Sequence, residues 1–280
     1  MTGLVFGTIM FAAFLHASWN AIVKGGSNTL LTTVLVAAGG ALIGLVALPF
    51  LPPLAPAAWP YLAISAILEI AYYALLAAAY GNSDMSRAYP LMRGTPPLLV
   101  ALVSTLFLGV GLSLPGWLGI VLVCLGLLSL TLAGTGGDRR GVAFAFINAL
   151  VIASYTLVDS VGVRASGSAP TYTMWIFVLT GIPLALWALL RRPGFIAYAR
   201  TNWHLGLAGG IGTLASYGLV LWAMTEAPVP LVAALRETSI LFGTAIAALV
   251  LRERVTRTRI IAVLVIAAGA IVLKLSLIHI

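Results

Sequence analysis

Residues 93–108 read RGTPPLLVALVSTLFL, and residues 236–251 read RETSILFGTAIAALVL. Sliding the chain by 143 positions lays Arg93 on Arg236, Thr95 on Thr238, Leu98 on Leu241, Leu106 on Leu249 and Leu108 on Leu251 without a gap. The same offset carries Gly126 onto Gly269, and an offset of 138 places Gly3 on Gly141 and Phe6 on Phe144. Each match is weak alone. Together they cover both halves at matching lengths, so the chain reads as two copies of one unit.

The composition fixes the solvent of that unit. Of 280 residues, 61% are hydrophobic and 8% are charged, against about 25% charged in a soluble domain. This excludes a water-soluble enzyme, a nucleic-acid binder and a disordered chain, despite a formal charge of +8. A helix needs about 20 apolar residues to cross a bilayer, whereas barrel strands alternate polarity over about ten. The apolar runs here are unbroken and long. They predict an all-α polytopic membrane protein with ten transmembrane helices, at 3–23, 30–50, 58–80, 87–108, 114–133, 141–160, 171–190, 203–223, 229–250 and 257–275. The first run lacks a basic leader region and reads as helix one, not as a cleaved signal.

Each copy holds five spans, so the two copies have opposite orientations. The charges agree: loop 9 holds four arginines, and its counterpart 109–114 holds none. Loops 1, 3, 5, 7 and 9 carry eleven Lys and Arg and the opposite side two. The positive-inside rule therefore predicts cytoplasmic odd-numbered loops and outside termini, in a cell (inner) membrane. Inverted repeats of this kind place a substrate site near the midplane between the halves.

Several stretches carry a resemblance to a known family. The first helix reads His16-Ala17-Ser18-Trp19-Asn20-Ala21-Ile22-Val23-Lys24, and the fourth begins Arg87-Ala88-Tyr89-Pro90-Leu91-Met92-Arg93. The ninth ends Leu251-Arg252-Glu253-Arg254-Val255-Thr256, and the last carries Ala267-Ala268-Gly269-Ala270. In these stretches and in its five-plus-five layout the chain resembles the EamA family of the drug/metabolite transporter superfamily. The first-half turn Leu108-Gly109-Val110-Gly111 departs from the family by lacking the usual acid. The resemblance implies one five-helix repeat over 1–137 and a second over 138–276. It further implies a carrier of amino acids, other metabolites, nucleotide sugars or cationic drugs, with the aromatic amino-acid exporter branch as one home. The tail Leu277-Ile278-His279-Ile280 has an arbitrary look and is set aside as an expression scar.

Charges inside the spans mark the candidate site, because each costs about 2.5–3.5 kcal/mol to insert. These are Glu69, Asp159 and Glu237 against Arg93 and Arg236. One reading gives an arginine a substrate carboxylate and an acid a substrate amine or a proton. The other pairs the charges as structural bridges. Arg236 and Glu237 are adjacent on a helix and are expected to point apart.

Helical spacing adds Tyr73 and Tyr80 to the Glu69 face, groups His16, Trp19 and Asn20, sets Tyr155 with Asn148 and Asp159, and pairs Tyr217 with Trp222. Such groups suit a polar cavity with aromatic walls, or hydrogen-bonded helix packing. Pro90, Pro96 and Pro97 in span four, and Pro228 and Pro230 opening span nine, read as kinks, helix starts or hinges. Trp59, Tyr61, Trp117, Trp187, Tyr198 and Trp203 read as an interfacial belt. Gly40/Gly44 and Gly206/Gly210 read as close-contact seams.

No phosphate loop, metal-ligand set or nucleophile elbow occurs, and Cys124 is a lone cysteine. The expectation is a non-enzymatic secondary transporter without cofactor or metal. It exports small polar metabolites, amino acids (aromatic or other neutral) foremost, by alternating access. The alternatives are an exporter of lipophilic cations or nucleotide-sugar-type metabolites and, remotely, a membrane-embedded lipid-modifying enzyme. The expected partners are a small-molecule substrate and the lipid bilayer, with no nucleic acid, as a monomer or homodimer.

Overall fold

The computed structural model describes residues 2–83, 85–133, 139–250, 252 and 255–276. The expected repeat boundary at 137/138, Glu253 in the turn before the last helix, and the tail 277–280 lie outside the described residues. Twelve α-helices build the ten spans: α1 (Gly3–Gly25), α2 (Thr29–Ala47), α3 (Trp59–Asn82), α4 (Met85–Gly94), α5 (Pro96–Phe107), α6 (Leu114–Ser129), α7 (Arg139–Ala165), α8 (Ala169–Arg191), α9 (Phe195–Glu226), α10 (Val229–Arg236), α11 (Ser239–Leu249) and α12 (Arg257–Ser276). Among the described residues nine segments are long and apolar enough to cross a membrane, and α6 is a shorter apolar helix. It runs on as a 3₁₀ turn over Leu130–Ala133. α9 starts earlier than expected and kinks at Asn202, whose φ of −113° and ψ of 18° leave the helical range.

Helix starts are set by side chains that satisfy first-turn N–H groups. Thr2, Asn28, Ser113 and Ser168 accept from Val5, Leu31, Gly116 and Thr171. Lipid offers such groups no partner, so the caps matter more than in water.

Spans four and nine are each broken, and the breaks fall at repeat-equivalent positions. In span four Pro96 and Pro97 remove two backbone donors, and Thr95 Oγ1 donates back to the Leu91 carbonyl at 2.9 Å. In span nine no proline is present at the break. Glu237 and Thr238 donate to the carbonyls three residues back, and Thr238 Oγ1 covers the Leu235 carbonyl at 2.7 Å. A tight 3₁₀ turn thus does there what proline does in the first half.

Packing has the pattern of a two-fold axis. α1 lies along α9 and α3 along α7, the same pair with the halves exchanged. α2 meets α8, α6 meets α12, and α5 of span four meets α10 of span nine. Five spans per half make the copies antiparallel, so this axis lies in the plane of the membrane.

The symmetry is not perfect. α2 packs extensively on α9, while the exchanged pair α8 and α3 meets less, with Trp59 edge-on to Trp175 at 5.0 Å. The α2–α9 seam is built on glycine: a Cβ on Gly39 would lie 2.2 Å from the Gly206 carbonyl oxygen. The main apolar core, including Ile9, Ile120, Val123, Val220, Leu231 and Leu273, fills the half of the molecule toward the even-numbered loops. In that half α5 and α10 pack together. In the other half α4 and α11 stand apart across a cavity.

The glycine seam yields a first prediction. Gly39→Ala forces a backbone shift and lowers stability by about 1–3 kcal/mol, as overpacking does. Gly7→Ala, where a Cβ meets nothing within 4 Å, leaves the thermal midpoint in detergent unchanged or higher. Equal midpoints for the two variants would refute the seam.

Candidate functional site

The cavity between α4 and α11 has a volume of about 690 Å³ and opens among the ends of α1, α2, α4, α6, α11 and α12. Those ends belong to the odd-numbered loops. His16 and Asn20 of the sequence-derived set line it, together with Lys24, Tyr89, Pro90, Ser239, Gly243 and Arg259. Asn20 Nδ2 donates to the His16 carbonyl at 2.7 Å, and the His16 ring lies edge-on to Trp19 at 5.2 Å. Trp19 Nε1 is buried and carries no hydrogen bond among the described residues. Lys24 and Arg259 were legible only as orientation charges, and Tyr89 only as part of a motif. Arg259 is held by a 3.1 Å bond from its Nε to Thr244 Oγ1.

Beyond the cavity floor the two breaks meet. Arg93, at the end of α4, forks onto Glu237, just past α10: Nε donates to Oε2 at 3.0 Å, and Nη2 forms an ion-pair contact with Oε1 at 3.0 Å without a hydrogen bond. The residues are 7% and 3% exposed. This pair ties one repeat to the other. Arg236 is also buried, and its Nε stands 3.7 Å from Glu237 Oε1. The expectation that these neighbours point apart is therefore corrected. It assumed a continuous helix, and the 3₁₀ turn beginning at Ala234 brings the two side chains round to one side. The contact is loose, and Arg236 Nε carries no hydrogen bond. Tyr155 lies within electrostatic reach of the Arg236 guanidinium.

A second polar cluster sits beside the first. Asp159 on α7 is fully buried. It accepts from Tyr172 on α8 at 3.0 Å through Oδ1 and from Tyr217 on α9 at 2.5 Å through Oδ2. Tyr172 was not singled out from the sequence. The signal for it was Gly162, one turn past Asp159, where a Cβ would lie 2.2 Å from the Tyr172 hydroxyl. Glu69 on α3 is half-buried. It stands within electrostatic reach of Asp159, Arg236, Tyr73, Tyr155, Tyr172 and Tyr217. It makes no hydrogen bond or ion pair among the described residues.

Two residues of the sequence-derived set stand outside these clusters. Trp222 packs on the apolar core. Tyr80 joins a smaller apolar cluster with Ala88, Met92 and Ala145. Asn148 donates to Met92 Sδ at 3.2 Å, which links α7 to the broken span.

Removing one partner of a buried ion pair costs about 3–5 kcal/mol. Arg93→Met and Glu237→Met are each expected to destabilise by that order. The double variant should fall short of the sum by about 0.5–3 kcal/mol. Strict additivity in detergent unfolding would show that the fork contributes nothing as a pair.

Comparison with known proteins accords with this geometry. The EamA-like transporter family matches residues 3–132 and 139–275. A solved structure titled "Crystal structure of protein" superposes with a TM-score of 0.74 at 20% identity, covering 97% of this chain and 96% of that one. At that identity the likeness supports the fold alone. No curated protein matches the sequence. A family match over nearly the whole chain, in two segments, means that this protein belongs to the EamA-like transporter family of the drug/metabolite transporter superfamily.

Proposed function

We propose that this transporter exports small polar metabolites that carry a carboxylate and an amine, neutral and aromatic amino acids foremost. One observation carries the reading. The inverted symmetry maps the pair Arg93–Glu237 onto Arg236 and Gly94. Glycine stands where the second acid would be, so Arg236 is a buried guanidinium without a full partner. The carboxylate of a cargo supplies the missing acid.

The surroundings fit that role. The cavity volume lies within the about 300–1,000 Å³ of small-molecule sites. Tyr89 and His16 give it ring surface, and His16 lies within electrostatic reach of Arg93 and Arg236. A cargo entering between α4 and α11 descends toward the crossing of the broken helices, where Glu69 and Asp159 face its ammonium group. With the basic odd-numbered loops in the cytoplasm, this opening faces inward and the cargo is taken for export. Access then alternates when α4 and α11 close and the α5–α10 half opens, with the breaks at Thr95 and Thr238 as hinges. A lipophilic cation is the second reading, favoured by the unpaired Glu69. Arg236 weighs against it, because a cation has no carboxylate to offer.

The test is counterflow in proteoliposomes loaded with unlabelled amino acid and challenged with labelled amino acids one at a time. Exchange of at least one neutral amino acid is expected. Gly243→Phe should cut it about tenfold or more, equivalent to at least about 1.4 kcal/mol of lost binding. A Cβ at Gly243 meets only Ala17, at 3.9 Å, so the ring fills the cavity without a clash at its base. Exchange of lipophilic cations with no amino acid carried would transfer the function to the second reading.

A further inference from the structure

Among the described residues the charges inside the spans do not balance. Arg93 and Arg236 stand against Glu69, Asp159 and Glu237, an excess of one negative charge. Other charged residues near this level do not change the sum. Arg164, five residues past Asp159, turns away and donates to the carbonyls of Ser160 and Met224 at the helix end. His16 faces Arg93 and Arg236, so a third positive charge there would add repulsion.

An uncompensated charge in hydrocarbon is costly, and such groups neutralise by taking a proton. Geometry says which acid takes it. Glu237 holds two nitrogens of Arg93. Asp159 accepts hydroxyl bonds at both oxygens, from Tyr172 and Tyr217, which favour the carboxylate. Glu69 accepts none among the described residues. The groups within electrostatic reach of it do not pair with it: Tyr73 on α3 itself, Tyr155 and Asp159 on α7, Tyr172 on α8, Tyr217 on α9 and Arg236 on α10.

We propose that Glu69 carries one exchangeable proton, and that the net charge of the cargo decides whether this proton leaves. The inference rests on the proposed cargo site. The balance is simple. Empty, the interior is neutral with Glu69 protonated. A monocationic amine neutralises the excess itself, so one proton passes from Glu69 to water as it binds. A zwitterion brings no net charge, and the proton stays. The same carrier then exchanges cations for protons but moves zwitterions without proton release.

The experiment uses two probes with one ring, phenethylamine and phenylalanine. Each is titrated into the detergent-purified protein in weak buffer with a pH-indicator dye. Phenethylamine should release about one proton per molecule bound and phenylalanine none. Glu69→Gln should abolish the release at phenethylamine concentrations that saturate the variant. Equal release by both probes, or release unchanged in Glu69→Gln, overturns the proposal.

An infrared measurement needs no cargo. The wild-type protein should show a protonated-carboxyl carbonyl band that shifts in D₂O and vanishes at high pH. The band should be missing from Glu69→Gln and present in Asp159→Asn. Its absence from the wild type, or its loss only in Asp159→Asn, also overturns the proposal. If neither probe binds while the band behaves as stated, the cargo assignment fails and the proton site stands.

Discussion

A charged side chain inside a bilayer must find an opposite charge, and the Arg93–Glu237 fork is where this chain meets that constraint. The fork joins the end of α4 to the turn after α10, so it fixes the point at which the two broken spans cross. On the even-loop side of that point α5 and α10 pack together within the main apolar core. On the odd-loop side α4 and α11 share little contact. A buried pair of this kind adds modestly to stability, but either half alone is expensive. Its main effect is therefore to hold a register between the repeats and not to glue them more tightly.

Two copies of one unit can be equivalent in sequence position and unequal in shape. Here α2 lies tightly on α9 through Gly39 and Gly206, while α3 and α8 make the looser counterpart contact. The cavity lies on one face, where α4 and α11 stand apart. In the proposed alternating access the opposite state needs no new fold, because the halves would exchange their two conformations. At the breaks Thr95 and Thr238 keep the Leu91 and Leu235 carbonyls bonded.

Much of this was legible in the sequence, and the reasons are physical. Unbroken apolar runs leave only a helical bundle. An odd number of spans per repeat forces inversion. Charges inside apolar runs named Glu69, Arg93, Asp159, Arg236 and Glu237 directly. Other features were hidden. The break in span nine has no proline, and a polar Arg-Glu-Thr-Ser run gives little warning of a 3₁₀ turn. Tyr172 lies at the start of α8, and only the glycine opposite it on α7 lets its hydroxyl reach Asp159. Lys24 and Arg259 looked like loop charges because helix ends and cavity rims coincide. Trp222 and Tyr80 shared a helix face with polar groups, yet the crossing helices turned them into apolar packing. Periodicity assigns a face, and the neighbouring helix decides what that face meets.

On the proposed reading of Arg236 as the carboxylate site, the departure from symmetry at Gly94 lets a carrier keep a binding group ready inside hydrocarbon. A second glutamate there would complete two equivalent pairs and leave nothing for a ligand to satisfy. Gly94 instead lets α4 press against α6, where a Cβ would lie 3.0 Å from Leu127 and Leu128. The space an acid would need is taken by packing, and Arg236 is left with a loose contact at 3.7 Å. The cost is bearable because Tyr155 and the carboxylate of Asp159 lie within electrostatic reach of the guanidinium. A carboxylate that arrives at Arg236 gains more than it would at a fully paired arginine, since it displaces no partner. Affinity for the cargo is thus stored as an incomplete ion-pair set, one glycine short of symmetry.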